Sequence, residues 1–520
     1  MEKNKSNFFK QSMKSSLLLL SMALLAACGS EEGSGADGQG NDGGKSELVY
    51  ASTADAPGLS PIDTNDSISA NVAVQIFETL FAQNPDTGEI EPYLAESYEN
   101  PDDNTWIIKL KEDINFHDGT PFNAEAVKYT FDTLKDPERA APRASIIAPI
   151  TSIEVEDEYT VILHTEKPYG PMLAALSHYN TGIVSPTADQ EGDINRNPVG
   201  TGPFVFEEWV EGDHISMVRN EDYWQEPAEL EKFTIKIVPE YSTAISMLET
   251  GEVDFLDVVP SDHISRLEGL EGVNLDIIDG TRVSYLGFNM EKSPYNEQEF
   301  RDAIAHAIDQ ETYVSQLNGL GVFNESYIGP NLFGYDETSQ DFAVDYNPDK
   351  AAEIIEANGY GETPITMLVA NRENYLKMGE IVQQQLTDVG LNVSMETIEW
   401  AAFLDATAAG DFEMTFNGWS NSTGDGSELL YPNLHSDNIG SGNRVRYNNP
   451  EFDQLVEESR ETVDQEERKE KLRQANELVM QELPWVIMEH GSVTAAYRDN
   501  VNGLVMDAQG QFYVYGVSME

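Results

Sequence analysis

Short apolar runs and helical patterns follow one another along the chain from residue 47 onward. Residues 48–51 are a continuous apolar run that predicts a buried strand, and residues 71–80 have the spacing of a one-sided helix. Residues 105–111 predict a further strand, followed by a helix that Asn123 caps. Strands and helices mix throughout, which favours an α/β or α+β fold.

The clearest unit lies between residues 364 and 419. Three apolar strand patterns alternate there with two helical patterns, at residues 365–370, 376–389, 391–398, 401–409 and 412–417. A β-α-β-α-β order implies parallel strands with right-handed crossovers. Ligands of open α/β sheets bind at the carboxyl ends of the strands. We therefore expect one binding rim made from residues 371–377, 399–400 and 418–426.

Several side chains on this predicted rim could hold a small polar ligand. Arg372 and Lys377 offer charge for a carboxylate, Trp400 and Trp419 offer flat apolar walls, and Asp425 offers an anion for an ammonium. Structural alternatives stay open, since Arg372 also suits a solvated surface and Trp419 also suits a core.

The charge balance and the missing motifs exclude several classes of function. Asp and Glu number 92 against 31 Lys and Arg, a net charge of −61. Such a surface repels nucleic acid, and its spread along the chain fits adaptation to high salt. The eight histidines have no metal-ligand spacing, and neither a nucleophile elbow nor a phosphate loop is present. We expect no enzyme activity, no metal and no cofactor.

The N-terminus predicts export and a lipid anchor. Four lysines precede an apolar run at residues 17–27, which reads as a signal peptide over residues 1–27. Leu25-Ala26-Ala27-Cys28 resembles the bacterial lipobox, so Cys28 is the predicted lipidation site; an incidental cysteine is the alternative. Residues 28–46, acidic and rich in Gly, predict a flexible tether. We expect the protein on the outer face of the cell membrane, or in the periplasm of a cell with two membranes.

Several later motifs carry a family resemblance. They include Phe116-His117-Asp118-Gly119-Thr120-Pro121-Phe122-Asn123, Pro198-Val199-Gly200-Thr201-Gly202-Pro203-Phe204, Tyr223-Trp224 and Tyr447-Asn448-Asn449-Pro450. Together they resemble family 5 solute-binding proteins, the peptide- and nickel-binding subunits of ABC importers. For His117 and Asp118, which lie in a strand-turn-helix, we expect a structural role.

The resemblance implies a large type II periplasmic-binding-protein-like α/β fold, with the ligand cleft between two lobes. Lobe 1 is expected to contain residues 47–280 and 490–520, with an inserted subdomain at about residues 86–196; lobe 2 contains residues 281–489. A two-segment hinge is expected near residues 280–284 and 489–494. The implied partners are a short peptide and the permease and ATPase of an importer, and we expect a monomer.

The stretch from Gly418 to Asp425 discriminates within the family. Dipeptide binders of the family place an Asp where this chain has Ser422, and the pattern here is similar to the glutathione-binding subgroup, as is the later stretch from Val505 to Gly510. The resemblance implies capture of glutathione, a dipeptide or an oligopeptide; a nickel chelate is the alternative, and a secreted enzyme a remote one. The candidate ligand contacts are Asp55, Arg372, Lys377, Trp400, Trp419, Asn421, Ser422 and Asp425.

Overall fold

The computed structural model describes residues 46–84 and 88–520, except the side chains of Glu373 and Asn374. The predicted signal peptide, Cys28 and nearly all of the predicted tether therefore lie outside the described residues. Within the described residues, no helix is both long enough and apolar enough to cross a bilayer.

The described residues form 21 strands and 14 α-helices. The strands are β1 (Glu47–Ser52), β2 (Phe81–Gln83), β3 (Ile90–Pro92), β4 (Ala95–Asp102), β5 (Thr105–Leu110), β6 (Ile150–Asp157), β7 (Thr160–Thr165), β8 (Phe204–Val210), β9 (His214–Arg219), β10 (Lys232–Ile237), β11 (Phe255–Leu256), β12 (Val273–Phe288), β13 (Gly321–Val322), β14 (Pro364–Ala370), β15 (Asn392–Ile398), β16 (Met414–Ser420), β17 (Trp485–Arg498), β18 (Val501–Asn502), β19 (Val505–Met506), β20 (Phe512–Tyr513) and β21 (Ser518–Met519). The helices are α1 (Ser67–Ile76), α2 (Ala124–Lys135), α3 (Met172–Ser177), α4 (Pro186–Glu191), α5 (Tyr241–Thr250), α6 (Ile264–Glu268), α7 (Gln298–Ala307), α8 (Gln310–Ser315), α9 (Pro348–Asn358), α10 (Glu373–Asp388), α11 (Trp400–Ala409), α12 (Ser427–Leu434), α13 (Pro450–Glu461) and α14 (Gln465–Glu482).

One sheet of eleven strands combines strands from the early, middle and late parts of the described residues. Its order is β15-β14-β16-β12-β17-β11-β1-β10-β9-β8, and β13 pairs with β17. The long antiparallel pair β12 and β17 runs through the centre, and its register shifts between Asp279 and Val283. The expected hinge segments, residues 280–284 and 489–494, lie at this irregularity. The residues at which the chain passes between the lobes stay a prediction.

The apolar core is divided in a way that fits two lobes. The largest cluster joins residues of the first half of the chain to C-terminal residues such as Phe512 and Val514. Two further clusters, which contain Phe288 and Trp485 respectively, use the middle of the chain instead. A four-stranded antiparallel sheet, β4-β5-β7-β6, adds a separate layer to the first lobe. The two-lobed α/β prediction is confirmed.

The predicted β-α-β-α-β unit is also confirmed. It consists of β14, α10, β15, α11 and β16, and β14 pairs in parallel with both β15 and β16. The Asn123 cap is present as well, since its side chain accepts a hydrogen bond from the Ala126 N–H at the start of α2.

The first helix begins and ends earlier than the pattern predicted. Asp66 caps α1 by accepting the Ser69 N–H, and the chain becomes extended at Phe77, where φ is −110° and ψ is 145°. A capping carboxylate satisfies one of the free N–H groups of the first turn, so it sets where the helix starts. The predicted helical residues 77–80 therefore lie outside the helix.

Candidate functional site

A cavity of about 390 Å³ lies where a loop of the second lobe meets the first lobe. Three parts of the first lobe line it: the end of α1 with the chain after it, the turn around His178, and the C-terminal segment from Val505 to Gly516. The second lobe contributes Ser422 and Thr423. The lining residues of the first lobe are mostly polar or aromatic. They include Gln75, Phe77, Glu78, Gln83, Tyr93, Tyr179, Asp507, Gln509, Gln511, Tyr513 and Tyr515.

The glycine motif at residues 200–202 packs directly behind the α1 wall of the cavity. The Gly202 N–H donates to the Ile76 carbonyl oxygen at 2.9 Å. A Cβ atom at Gly200 would lie 2.1 Å from that same oxygen, closer than any side chain tolerates. His117 fixes the motif from the other side, because its Nε2 lies 2.9 Å from the Gly202 carbonyl oxygen. The expected structural role of His117 is confirmed.

Glu78 is the buried acid at one side of the cavity. Its carboxylate accepts hydrogen bonds from the Tyr223 hydroxyl at 2.6 Å, the Trp224 indole N–H at 2.8 Å and the Thr201 hydroxyl at 2.7 Å. Burial raises the pKa of Glu78, while these three donors oppose that shift. Residues from two family motifs thus surround one carboxyl group that lines the cavity.

Asp507 is the second acid on the cavity wall, in a tight turn of the C-terminal segment. Its Oδ1 accepts the backbone N–H groups of Gln509 and Gln511 at 3.0 and 2.8 Å. Among the described residues, its Oδ2 accepts one hydrogen bond, from the Tyr513 hydroxyl at 3.2 Å. Burial raises the pKa of Asp507 to about 6, although these donors favour the charged form.

His178 offers the cavity a neutral side chain. Its Nδ1 accepts the Asn180 N–H at 3.2 Å, so the proton is assigned to Nε2. That nitrogen is buried and has no hydrogen-bond partner among the described residues. Burial, with help from the Arg143 charge, lowers the pKa of His178 to about 3, so the ring is uncharged at neutral pH.

The loop from Asn421 to Asp425 is held by its own side chains. Asn421 is 2% exposed, accepts the N–H groups of Thr423 and Gly424, and donates to the Asp425 carbonyl oxygen. Ser422 lies on the cavity and accepts a hydrogen bond of 2.8 Å from Arg143 of the first lobe. Of the eight predicted contacts, only Ser422 lines the cavity.

Asp425 has a structural partner rather than an open face. It is 2% exposed, and both carboxylate oxygens accept Arg468 Nη2, at 2.7 and 3.0 Å. Its Oδ1 also accepts the N–H and the hydroxyl of Ser427. A ligand ammonium would have to displace a buried arginine here. We therefore correct the expectation that Asp425 faces a ligand.

Arg372 and Trp400 contact each other outside the cavity. The Arg372 guanidinium lies 3.7 Å from the centroid of the Trp400 ring, on the rim of the parallel unit. Lys377 is exposed on α10, the helix that follows Arg372, and its Nζ lies 3.4 Å from the Gln316 carbonyl oxygen. The predicted single rim therefore separates into two parts: the pair of exposed Arg372 and half-buried Trp400, and the loop that reaches the cavity.

Trp419 and Asp55 also have structural neighbours. Trp419 packs against the apolar cluster that contains Trp485. Asp55 accepts hydrogen bonds from the Trp209 indole N–H at 3.0 Å and the Gly212 N–H at 2.7 Å, which fix the β8–β9 hairpin. Neither residue lines the cavity.

The sequence did not identify Glu78, His178 and Asp507 as site residues. Glu78 fell inside a predicted helix, and His178 has no motif around it. Asp507 belongs to the Val505–Gly510 stretch that resembles the glutathione-binding subgroup, which was the one usable signal.

One group in the described residues could in principle ligate a metal: His435, Asp437 and Glu457, with ligand atoms within 4.8 Å of one another. His435 Nδ1 accepts the Asp437 N–H at 3.2 Å, so Nε2 carries the proton and has no lone pair for a metal. These residues lie outside the cavity.

A two-lobed α/β fold with a cavity between its lobes is typical of solute-binding proteins. Residues 89–441 match the bacterial extracellular solute-binding proteins, family 5, and the chain belongs to this family. The assignment confirms the prediction of a solute-binding protein of an ABC importer rather than an enzyme.

Named relatives agree with this assignment. The glutathione-binding protein GsiB of Shigella flexneri is 29% identical over 397 residues, which cover 74% of this chain and 77% of that protein. HbpA2 of Haemophilus parasuis has a TM-score of 0.84 at 26% identity, over 91% of this chain and 100% of that one. DppA of Helicobacter pylori, solved with the peptide STSA, has a TM-score of 0.74 at 27% identity, over 92% and 98% of the two chains.

Proposed function

We propose that the protein captures a short peptide outside the cell and delivers it to the permease and ATPase of an ABC importer. The main support for this proposal is the cavity, whose volume of about 390 Å³ lies in the range of small-molecule sites. The named substrates of its relatives, glutathione for GsiB and the peptide STSA for DppA, support the same class of ligand.

The chemistry of the cavity wall fits a peptide backbone. Four tyrosines and four glutamines line it, at positions 93, 179, 513 and 515 and at 75, 83, 509 and 511. Amide side chains both donate and accept hydrogen bonds, as peptide groups require, and tyrosine rings add apolar contact area. The Gln75 amide is already paired with the Phe512 carbonyl oxygen and the Val514 N–H, so the other three glutamines carry this argument. A nickel chelate is less well matched, since His178 is the one histidine of the lining and its Nδ1 is occupied.

Titration calorimetry with unmodified peptides of two to five residues tests the proposal. We expect the full protein, freed of co-purified ligand, to bind at least one length class, with NiCl₂ and nickel–histidine as controls. Saturable binding of nickel–histidine together with no heat from any peptide would overturn the peptide function.

We propose further that the mature protein is a monomer held at the membrane by a lipid on Cys28. The apolar run before Cys28 and the Gly-rich stretch after it support this arrangement. Cys28→Ser should remove the lipid acceptor and release the protein into the medium or the periplasm. Cell fractionation measures this, and unchanged membrane retention would contradict the anchor.

The acidic excess supports adaptation to high salt. At a net charge of −61, self-repulsion should destabilise the fold in dilute buffer, where the Debye length is about 30 Å at 0.01 M salt. We expect the melting temperature to rise steeply between dilute buffer and molar KCl. Calorimetric scans across this range decide the matter, because an ordinary protein surface would give a nearly flat profile.

A further inference from the structure

We infer that the cavity selects its ligand by a free ammonium group, which Asp507 receives, and that it does not require a ligand carboxylate. This inference rests on the proposed peptide function and names the class of peptide. It predicts that neutral or cationic peptides bind more tightly than anionic peptides of the same length. Glutathione, which has two carboxylates and one ammonium, belongs to the anionic group.

The charges on the cavity wall carry the inference. Two carboxylic acids, Glu78 and Asp507, line the cavity, and none of its lining residues is Lys or Arg. A carboxylate buried without a cation keeps an uncompensated charge, which a ligand ammonium can neutralise. A ligand carboxylate would meet the field of these two acids, and Arg143, a cation next to the wall, already donates to Ser422.

Asp507 is better suited than Glu78 to receive the ammonium. Glu78 already accepts three short hydrogen bonds from Tyr223, Trp224 and Thr201, which fill three of the four acceptor positions of its carboxylate. Asp507 Oδ2, in contrast, accepts a single hydroxyl at 3.2 Å, and a carboxylate oxygen has room for two donors. The backbone N–H groups on Oδ1 fix the direction of the carboxylate without neutralising it.

His178 is an independent sign of a ligand. The residue is 4% exposed, lines the cavity, and leaves its Nε2–H without a partner among the described residues. A buried donor without an acceptor is costly, so a ligand acceptor at this position is stabilising. A neutral N–H suits a peptide carbonyl oxygen, which the N-terminal residue of a peptide presents next to its ammonium.

A panel of one tripeptide in four forms tests the inference: free, N-acetylated, C-amidated, and capped at both ends. Calorimetry on the wild-type protein should show that acetylation weakens binding by about 10- to 100-fold and amidation by less than about threefold, since a hydrogen bond to a charged group contributes most of the difference. Equal affinity for all four forms, or a larger loss on amidation, would overturn the inference and leave the peptide function intact. No binding of any form would instead count against the proposed function.

Two variants sharpen the assignment to Asp507. Asp507→Asn should weaken binding of the free peptide by about 10- to 100-fold and of the acetylated peptide by less than threefold. Asp499→Asn is the matched control, since it removes one exposed acid from the turn between β17 and β18 and should change both affinities by less than twofold. Equal losses for the two peptides in Asp507→Asn would contradict the assignment. The wild-type panel needs no variant, so a failure of Asp507→Asn to fold leaves the inference testable.

Discussion

Replacing Arg468 with Met should lower the free energy of unfolding by about 3–5 kcal/mol, because the substitution leaves a buried carboxylate without its partner. Arg468 is 1% exposed, and its Nη2 donates to both oxygens of Asp425, at 2.7 and 3.0 Å. It also donates to the Ser459 carbonyl oxygen, so the substitution removes a link between α13 and α14 as well. Urea unfolding followed by tryptophan fluorescence measures the loss.

Arg473 is the matched control on the same helix. It pairs with Glu470 and Glu477 at the surface, and exposed ion pairs contribute only about 0–1 kcal/mol. Arg473→Met should therefore shift the unfolding midpoint little. If the two variants unfold at the same urea concentration, the buried pair is not a major source of stability.

Asp425→Asn separates the structural role of this pair from a ligand role. The variant should destabilise the protein, since Arg468 then keeps a buried charge with a neutral partner. Combined with Arg468→Met, it should recover much of the stability, because neither charge of the pair remains. Neither change should alter the ratio of affinities for free and acetylated peptides; a selective loss of the free peptide would restore Asp425 as a ligand contact.

Local patterns were sufficient to predict the supersecondary structure of this chain. The parallel unit around β14 followed from apolar strands that alternate with one-sided helices, since both periods are set by nearby residues. The boundary of α1 was misplaced because Asp66, one residue before the helix, accepts the Ser69 N–H and starts it earlier. Capping is a single hydrogen bond, so it leaves a weak signal in an apolar pattern.

The site was harder to predict because it joins distant parts of the chain. The carboxyl ends of parallel strands indicated the loop that carries Ser422, which lines the cavity, but the opposite wall comes from the end of α1 and from the C-terminal segment. No local rule states which lobe surfaces meet. Asp425 shows the same limit: its position in a Gly-rich loop suggested an open carboxylate, while its partner Arg468 lies 43 residues further along the chain.

The family motifs were recognised without their physical purpose. Residues 200–202 have two structural roles. The glycines let this segment pack against the backbone of α1, and the Thr201 hydroxyl donates to Glu78. Tyr223 and Trp224, which are the next motif, donate to the same carboxylate. These motifs therefore support the wall of the cavity, because they hold the end of α1 and the Glu78 carboxylate in place.

Gly200→Ala should destabilise the fold by about 3 kcal/mol, the upper end of the usual cost of overpacking. The new methyl group would lie 2.1 Å from the Ile76 carbonyl oxygen and 2.9 Å from the Phe77 Cα, and both atoms belong to backbone that cannot rotate away. The end of α1 must then move, and Phe77 and Glu78 of the cavity wall move with it. We expect a lower urea midpoint together with weaker peptide binding in calorimetry.

Gly269→Ala provides the control for this prediction. Gly269 follows α6 with an ordinary φ of −91°, and the nearest atoms to an added Cβ are carbonyl oxygens at 3.6 Å, an ordinary contact distance. The same chemical change there should leave both the midpoint and the affinity nearly unchanged. If Gly200→Ala behaves like Gly269→Ala, the contact between the glycine motif and α1 is loose enough to accept a methyl group, and the motif does not fix the cavity wall. A variant that keeps its midpoint but loses peptide affinity would instead show that the backbone near Ile76 moves at little cost in stability, and that the motif acts mainly by placing Phe77 and Glu78.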